Sequence, residues 1–467
     1  MSLIVSALKQ QANALALAGA GCAYTSRALV SEVMARVAHL AASRVRVLGL
    51  YLGNGVEWVL WDLAALEAGI VCVPLPPFFT KDQVDYVIAA AGIDHVLDAQ
   101  GLKPTGKHAV PLPEGTAKIT FTSGTTGMPK GVCLSEKGME QVARSIMQMV
   151  GPIGVGNHLC VMPLSILLEN VAGVYAGILA GAALYVEAPE TVGMSNPFRP
   201  DFSRLLDVLA ERDIATMILV PELLRGIVAT LRAAPRSLPF LRFVAVGGSK
   251  IAQDLIVAAR AAGLPAYEGY GLSECASVVS LNTPGNDRAG SVGTLLPHVT
   301  AIIEGGEIVI RDPAFLGYLG DADAPQKNFA TGDLGRFGEG GTLYIDGRKK
   351  NVLITSHGRN VAPEWSESEL LAQPEIAQAI VYGDGLPALY ALIVSARPDA
   401  DVPAAVARAN ARLPAYARID GFTAVPPFTV ADGTLTGTGR PRRTNILSRY
   451  QSIIVKESEN EFLSKTG

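Results

Sequence analysis

Several features that the 467-residue sequence lacks narrow the functions open to it. The formal net charge is −4, and no cluster of Lys and Arg with interleaved aromatic residues occurs, so nucleic acid is not expected as a partner. The five cysteines are odd in number and widely spaced, which argues against a disulfide framework and a zinc site. With 49% hydrophobic and 18% charged residues, the composition indicates a core-rich protein of a reducing compartment.

Long apolar runs are also missing. The most membrane-like stretch, residues 171–186, is rich in Gly and Ala and shorter than the roughly 20 residues that a transmembrane helix requires. We interpret it as a tightly packed core helix. The N-terminal segment has Lys9 in its middle and no basic region before an apolar core, which does not fit a signal peptide. A cytoplasmic protein with no integral membrane span is therefore expected.

The length and the hydrophobic pattern predict more than one domain. Helical periodicity alternates with short apolar strands through residues 28–97 and again through residues 135–246. Such alternation predicts parallel or mixed sheets covered by helices on both faces. The pattern changes beyond the middle of the chain, which predicts an α/β domain at residues 1–349 followed by a small α+β domain at residues 350–467.

The most distinctive segment is residues 118–135, KITFTSGTTGMPKGVCLS. Small and hydroxyl-bearing residues let backbone N–H groups approach an anion, while hydroxyls donate to its oxygens and a lysine adds charge. The segment does not have the Walker spacing, because no Gly-Lys-Ser/Thr is present. It predicts a polyphosphate site of another kind, with a plain surface turn as the alternative. The residues concerned are Thr122, Ser123, Gly124, Thr125, Thr126, Gly127 and Lys130.

Three further motifs contain polar or flexible residues at predicted strand ends. The turn Gly247, Gly248 and Ser249 follows a strand, at the edge where open α/β sheets place ligands. The motif YEGYGLSE, residues 267–274, contains an aromatic ring between glycines, a hydroxyl and a carboxylate, which suit a base, a phosphate and Mg²⁺. In TGDLG, the carboxylate of Asp333 suits two ribose hydroxyls. Each of these motifs also occurs in ordinary turns.

Taken in order, the motifs TSGTTGMPKG, YGLSE, TGDLG, GRKKN and GRNVAPE resemble those of the adenylate-forming superfamily. This superfamily includes acyl-CoA synthetases, peptide-synthetase adenylation domains and firefly-type luciferases, and the chain is most similar to fatty acyl-CoA ligases. The resemblance implies two αβ-layered subdomains and a β-barrel-like subdomain in the large domain, with a mobile small domain. It also implies ATP, Mg²⁺ and coenzyme A, or a carrier protein's phosphopantetheine, as cofactors.

The resemblance also implies roles for individual residues. Residues 122–127 and Lys130 would hold the β- and γ-phosphates of ATP, and Glu274 with Thr126 would bind Mg²⁺. The implied adenine, acyl, α-phosphate, ribose and thiol-tunnel residues are Gly247, Gly248, Ser249, Tyr270, Gly271, Ser273, Asp333, Arg348 and Gly358. Lys350 falls at the family's hinge, and the implied catalytic residues are Lys130, Ser273, Glu274 and Arg440.

The chain departs from the family pattern at two positions. In LTGTGRPRR, Arg440 occupies the place of the family's catalytic lysine, so it either performs that role or weakens adenylation. In MPLSILLE, Ile166 stands where many relatives have an aromatic residue or His, and residues 161–168 contain no Asp to pair with an α-amino group. An apolar acid without an amino group is therefore the expected substrate.

Three functions remain open at this point. The leading hypothesis is ATP-dependent activation of an apolar acid, most simply a medium- or long-chain fatty acid, followed by transfer to coenzyme A. The second transfers the acyl group to the phosphopantetheine of an acyl carrier protein. The third, motivated by Arg440, is a nucleotide or acyl-adenylate binder without turnover. The sequence leaves the oligomeric state open, including a homodimer.

Overall fold

The computed structural model describes residues 2–122, 129–196, 199–321, 327–437 and 439–454. Two large sheets, each flanked by helices, account for most of the chain before residue 300. A four-stranded antiparallel sheet and then a small α+β unit follow. This arrangement confirms the α/β class with two layered subdomains that the alternating hydrophobic pattern predicts.

The first large sheet leads into the glycine-rich segment. Its central strands Val47–Leu50 and Val71–Pro74 run parallel and are almost fully buried, as continuous apolar runs require when helices cover both faces. The strand that enters the segment pairs with the strand that leaves it in an antiparallel ladder. In spatial order the strands are Phe315–Tyr318, Lys130–Ser135, Thr116–Thr122, Val71–Pro74, Val47–Leu50, His95–Asp98 and Gly101–Pro104.

The second large sheet is parallel through its centre. Side chains along its strands alternate between the two faces of the sheet. One face packs on the main hydrophobic cluster, and the other packs on a second hydrophobic cluster. Their carboxyl ends carry the second set of predicted site residues. In spatial order the strands are Thr294–Leu295, Ser280–Leu281, Ala266–Tyr270, Phe243–Val246, Ile214–Leu219, Asn157–Leu159, Ala183–Tyr185, Leu15–Gly19 and Cys22–Thr25.

The remaining sheets lie toward the C-terminus. The third sheet is antiparallel, with strands Thr300–Glu304, Glu307–Arg311, Asn328–Phe337 and Leu343–Arg348 in this order. The small unit contains the ladder Leu353–Ile354 with Asn360–Val361 and the sheet Ile376–Tyr382, Leu389–Ser395 and Ile419–Ala424. The small unit has hydrophobic clusters of its own, which fits the change of pattern seen in the sequence.

Several α-helices begin at polar residues whose side chains accept a backbone N–H, as at Thr80, where Gln83 completes a capping box. The longer α-helices are Leu3–Gln10, Ser26–Ala42, Val56–Glu67, Lys81–Ala90, Glu136–Val150, Phe202–Glu211, Pro221–Ala233, Gln253–Ala261, Pro363–Leu371, Val402–Ala411 and Arg443–Arg449.

The Gly- and Ala-rich stretch at residues 171–186 forms core structure, as predicted, although not as one regular helix. Leu167–Glu169 is α-helical, Asn170–Tyr175 forms a π-helix, Ala176–Leu179 returns to α-helix, and Ala183–Tyr185 is a strand. A π-helical turn changes the directions of its side chains. Across the described ranges, no helix is both long and apolar enough to cross a bilayer.

A buried polar network anchors the strand that enters the glycine-rich segment. Lys118 is 1% exposed, and its Nζ donates to Asp62 Oδ1 at 2.7 Å and to the Tyr175 hydroxyl at 3.1 Å. Tyr175 donates in turn to Asp62 Oδ2 at 2.7 Å, and Asn170 contacts both members of the ion pair. Because the buried charges are paired and hydrogen-bonded, their desolvation is offset. The network fixes Thr116–Thr122 against two helical segments.

Candidate active site

Tyr270, Asp333 and Arg348 come from three different strands and contact one another. The Tyr270 hydroxyl donates to Asp333 Oδ2 at 2.6 Å, and Arg348 Nε lies 2.7 Å from Asp333 Oδ1. Asp333 is 4% exposed, and burial raises its pKa while the Arg348 guanidinium lowers it. Burial and the neighbouring Asp333 carboxylate raise the pKa of Tyr270, so the phenol stays protonated. Three residues that the sequence assigns to nucleotide binding thus form one cluster.

Lys130 and Glu274 are linked through a residue that the sequence analysis did not identify. The Lys130 ammonium lies 5.1 Å from the centre of the Tyr318 ring, and the Tyr318 hydroxyl donates to Glu274 Oε1 at 2.7 Å. Tyr318 reaches this position because its strand, Phe315–Tyr318, pairs with Lys130–Ser135. The contact orients the carboxylate, and Glu274 is a hard oxygen donor of the kind that Mg²⁺ prefers.

The turn after strand Phe243–Val246 faces Arg440 of the C-terminal unit. Gly248 has φ +97°, and a Cβ added there would lie 3.3 Å from Arg440 Nη2 and 3.4 Å from Val220 Cγ1. The positive φ favours glycine at this turn, and the Arg440 guanidinium packs against it. Ser249 is exposed on the same turn.

Arg440 is exposed, and its Nη2 lies beside Gly248. Desolvation lowers the pKa of its guanidinium, and the charge of Glu222 opposes that change. A guanidinium stays charged under such a shift. The structure thus places a cation from the C-terminal unit at the strand ends of the second sheet.

The backbone after the YGLSE motif is tightly constrained. Gly271 could carry no side chain, because a Cβ would lie 1.6 Å from the carbonyl oxygen of Ser277. Ala276 and Ser277 have positive φ values of 53° and 116°, which are uncommon for residues with side chains. The short 3₁₀ turn Ser273–Cys275 lies between Gly271 and Ala276, and Ser273 is its first residue. Close packing of backbone on backbone fixes where the Ser273 and Glu274 side chains leave the chain.

Two predicted residues lie in the C-terminal connection. Lys350 is in the 3₁₀ turn Lys349–Asn351, directly after strand Leu343–Arg348, and burial together with the Arg348 charge lowers its pKa. Gly358, with φ +71°, turns the ladder Leu353–Ile354 with Asn360–Val361. Among the described residues, no cleft residue lies within 4 Å of a Cβ placed on Gly358.

Residues 123–128 lie outside the described ranges, so the predictions for Ser123, Gly124, Thr125, Thr126 and Gly127 stay predictions. Thr122 ends the strand before them and pairs with Lys130 beyond them. The two ends of this segment are thereby held next to each other. Lys130 is exposed and can reach an anion in front of the sheet edge.

A buried polar cluster around His158 was also not predicted from the sequence. His158 Nδ1 lies 2.9 Å from Thr216 Oγ1, and its Nε2 lies 3.0 Å from Glu169 Oε1. The backbone N–H of Met162 donates to Glu169 Oε2 at 2.8 Å. Cys160 joins His158 and Glu169 within 4.8 Å, but the hydrogen bonds already satisfy both ring nitrogens and both carboxylate oxygens. The cluster is a self-contained hydrogen-bonded unit. This is expected because an apolar core that excludes water tolerates only polar groups that are neutral or paired.

The cleft combines cations from distant parts of the chain with oriented carboxylates. Lys130, Arg348 and Arg440 supply positive charge, while Glu274 and Asp333 supply oxygen ligands. Such a set can hold a polyanion and neutralise charge that develops on it. A cation carried by the C-terminal unit makes the site depend on the position of that unit.

Comparison with known proteins agrees with this geometry. The family model for the AMP-binding enzyme matches residues 5–111 and 98–319, and the model for its C-terminal domain matches residues 350–460. A long-chain-fatty-acid–CoA ligase of Mycobacterium bovis is 26% identical over 87% of this chain and 86% of its own length. A 2-succinylbenzoate–CoA ligase of Bacillus velezensis is 28% identical over 65% of this chain and 63% of its own.

Solved structures show the same fold. The o-succinylbenzoate CoA synthetase of Bacillus subtilis, in complex with the acyl-adenylate OSB-AMP, has a TM-score of 0.79 at 21% identity over 95% of this chain and 97% of its own. An anthranilate CoA ligase in complex with anthranoyl-AMP has a TM-score of 0.80 at 18% identity over 97% and 98%. The chain therefore belongs to the AMP-binding enzymes, the adenylate-forming acid–thiol ligases that its motifs resemble.

Proposed function

We propose that the protein activates an apolar carboxylic acid with ATP to an acyl adenylate and transfers the acyl group to the thiol of coenzyme A. The observation that carries the proposal is the Arg440 guanidinium at Gly248, beside the strand ends of the second sheet. This position supports a role for Arg440 as the cation at the reacting centre, in place of the family's lysine. It also argues against a binder without turnover.

In the first half-reaction, the acid's carboxylate attacks the α-phosphorus of ATP, and pyrophosphate leaves. Positioning and charge neutralisation dominate catalysis of such a step. Lys130 would neutralise the leaving pyrophosphate, Arg440 would face the carboxylate and the α-phosphate, and Asp333 with Arg348 would orient the ribose. Glu274 would hold Mg²⁺, which shields phosphate charge, and the Tyr270 ring would lie against adenine.

In the second half-reaction, a thiol attacks the acyl carbon of the adenylate, and AMP leaves. The adenylate must be shielded from water until the thiol arrives. We propose that residues 350–467 form a mobile domain that turns about Lys350 relative to residues 1–349. Rotation would withdraw Arg440 and bring the loop that contains Gly358 to the cleft; among the described residues, the space beside the Gly358 α-carbon is open in the present arrangement.

The relatives differ in the acids that their names give. They include ligases of long-chain fatty acids, 2-succinylbenzoate and indoleacetate. The absence of an acidic partner for an α-amino group in residues 161–168 favours an acid without that group. A fatty acid and an aryl acid are therefore the two candidate classes. Coenzyme A is the preferred acceptor because the named relatives are CoA ligases, and a carrier-protein thiol is the runner-up.

The test is a coupled reaction with ATP, Mg²⁺, a mixture of fatty and aryl acids, and either coenzyme A or a phosphopantetheinylated carrier protein. Mass spectrometry should detect an acyl-CoA, together with one AMP per acyl group transferred. Formation of acylated carrier protein without any acyl-CoA would reject the assignment of coenzyme A as the acceptor. Hydrolysis of ATP to ADP, or no acid-dependent AMP release, would reject the proposed chemistry.

A further inference from the structure

The space between the second sheet and the helical segment 167–179 becomes narrower with distance from the carboxyl edge of the strands. Along each strand, alternate side chains face this segment, which places them in the main core cluster. At the carboxyl edge these positions are Gly247 and Gly269, and one step deeper stands Ala245. On the sheet side the entrance therefore has small residues at Gly247 and Ala245, whereas the Leu281 side chain covers Gly269, with its Cδ1 2.9 Å from a Cβ placed there.

Two stacked aromatic rings end this open region. Phe243 lies on the same strand as Ala245, and its ring stacks on that of Tyr267 with centroids 5.1 Å apart and an interplanar angle of 9°. Tyr267 pairs with Ala245 in the sheet, so the stack spans both strands. Gly247 and Phe243 are four positions apart, about 13 Å along an extended chain, and the rings occupy the deeper part of this length.

Beside the two rings, the buried polar cluster around His158 lies at the same level of the two adjoining strands. His158, Thr216 and Phe243 are in register across three neighbouring strands, so they form one row. On the helical side, a Cβ on Gly173 would lie 2.2 Å from Glu169 Oε1 and 2.9 Å from His158 Nε2. Helix and sheet thus touch at this row, and a chain that passed it would have to break buried hydrogen bonds.

From this closed row we infer that the acid pocket is short and takes a compact acid, of the size of a benzoate or phenylacetate, rather than a long-chain fatty acid. The inference rests on the proposed function and narrows its substrate class. Phe243 is the specificity-determining residue, because its ring forms the end of the pocket under the small residues. The contact between Glu169 and His158 holds the helical segment against the row.

The test measures kcat/KM for ATP–pyrophosphate exchange with benzoate, phenylacetate, octanoate and palmitate. Wild type should favour the aryl acids over palmitate by at least about 100-fold, since a packed pocket rejects added methylenes. Phe243→Ala should raise the octanoate-to-benzoate ratio by roughly 10-fold or more. Phe243→Leu serves the same purpose if the alanine variant does not fold. Phe240→Ala, an exposed phenylalanine on the preceding connection, should leave the ratio at the wild-type value.

A wild-type preference for palmitate would overturn the inference while leaving the proposed function intact. An unchanged acid preference in both Phe243 variants, with normal thermal unfolding, would also overturn it. The absence of exchange with every acid would instead reject the proposed function, and the inference with it.

Discussion

Asp333 illustrates how far a single residue could be assigned from the sequence. Its glycine-flanked position predicted a turn and a carboxylate suited to ribose hydroxyls, but Asp333 lies within strand Asn328–Phe337, and the sequence did not predict which side chains hold its carboxylate. The structure places Tyr270 on one oxygen and Arg348 on the other. Tyr318 could not be assigned, because its role depends on the pairing of two strands far apart in the sequence. The identity of a residue predicts the chemistry of its side chain, whereas the residues that it contacts depend on the fold.

Replacing Lys130 should weaken the first half-reaction. Lys130→Ala removes the cation assigned to the leaving pyrophosphate, and loss of one preorganised charge donor lowers such rates by roughly 10²-fold or more. Acid-dependent pyrophosphate exchange measures this effect. Lys137→Ala, which removes a lysine from the helix that follows, serves as the control. A near-normal rate for Lys130→Ala would refute the role.

Glu268 should make stability depend on pH. Burial raises its pKa to about 8, while the nearby Lys250 charge opposes that rise. The folded state therefore keeps a proton that the unfolded chain releases above its ordinary pKa of about 4.3, so stability falls as pH rises from about 5 to about 8. Urea unfolding at pH 5, 6, 7 and 8 should show that Glu268→Gln gains stability relative to wild type with rising pH. A constant difference between the two proteins would contradict the assignment.

At the scale of elements, periodicity predicted the buried strands well and irregular helices poorly. Continuous apolar runs indicate strands such as Val47–Leu50, since burial on both faces leaves no polar side. The π-helix Asn170–Tyr175 has no comparable signal, because its geometry follows from the Lys118 and Glu169 networks that it contacts. The strand Gly101–Pro104 contains Gly and Pro, which mark turns and loops, so periodicity gives no signal for it either.

The buried network around Lys118 should dominate the stability of the first sheet. Asp62→Ala leaves a buried ammonium without its carboxylate, which costs about 3–5 kcal/mol of the free energy of unfolding. Urea denaturation should detect this loss, and Asp62→Leu combined with Lys118→Met should recover much of it. Asp98→Ala breaks the exposed pair with Lys103 and should have a far smaller effect. Equal losses for Asp62→Ala and Asp98→Ala would contradict the account.

At the scale of the molecule, the C-terminal unit contacts the large domain at several places. Arg412 forms a bidentate ion pair with Asp254 of the large domain, and Glu369 of its own unit supports the Arg412 guanidinium. Arg440 lies at Gly248. The sequence predicted two domains from a change of pattern, but it could not predict which face of the small domain meets the cleft. That depends on side chains spread over the whole unit.

A rigid hinge should separate the two half-reactions. Lys350→Pro fixes φ at the connection, so it should spare adenylation and depress thioester formation if the domain must rotate. Pyrophosphate exchange and acyl-CoA release measure the two steps on the same preparation. Lys350→Ala removes the side chain without fixing φ, and should retain both steps more fully. Equal loss of both half-reactions in Lys350→Pro would count against the hinge.

The role of Arg440 as the cation at the reacting centre is tested by acid-dependent ATP–pyrophosphate exchange in wild type, Arg440→Lys and Arg440→Ala. We expect exchange in wild type, a rate about 10²-fold lower in Arg440→Ala, and an intermediate or higher rate in Arg440→Lys because the charge is kept. An unaltered rate in Arg440→Ala, or no acid-dependent exchange in wild type, would contradict this role.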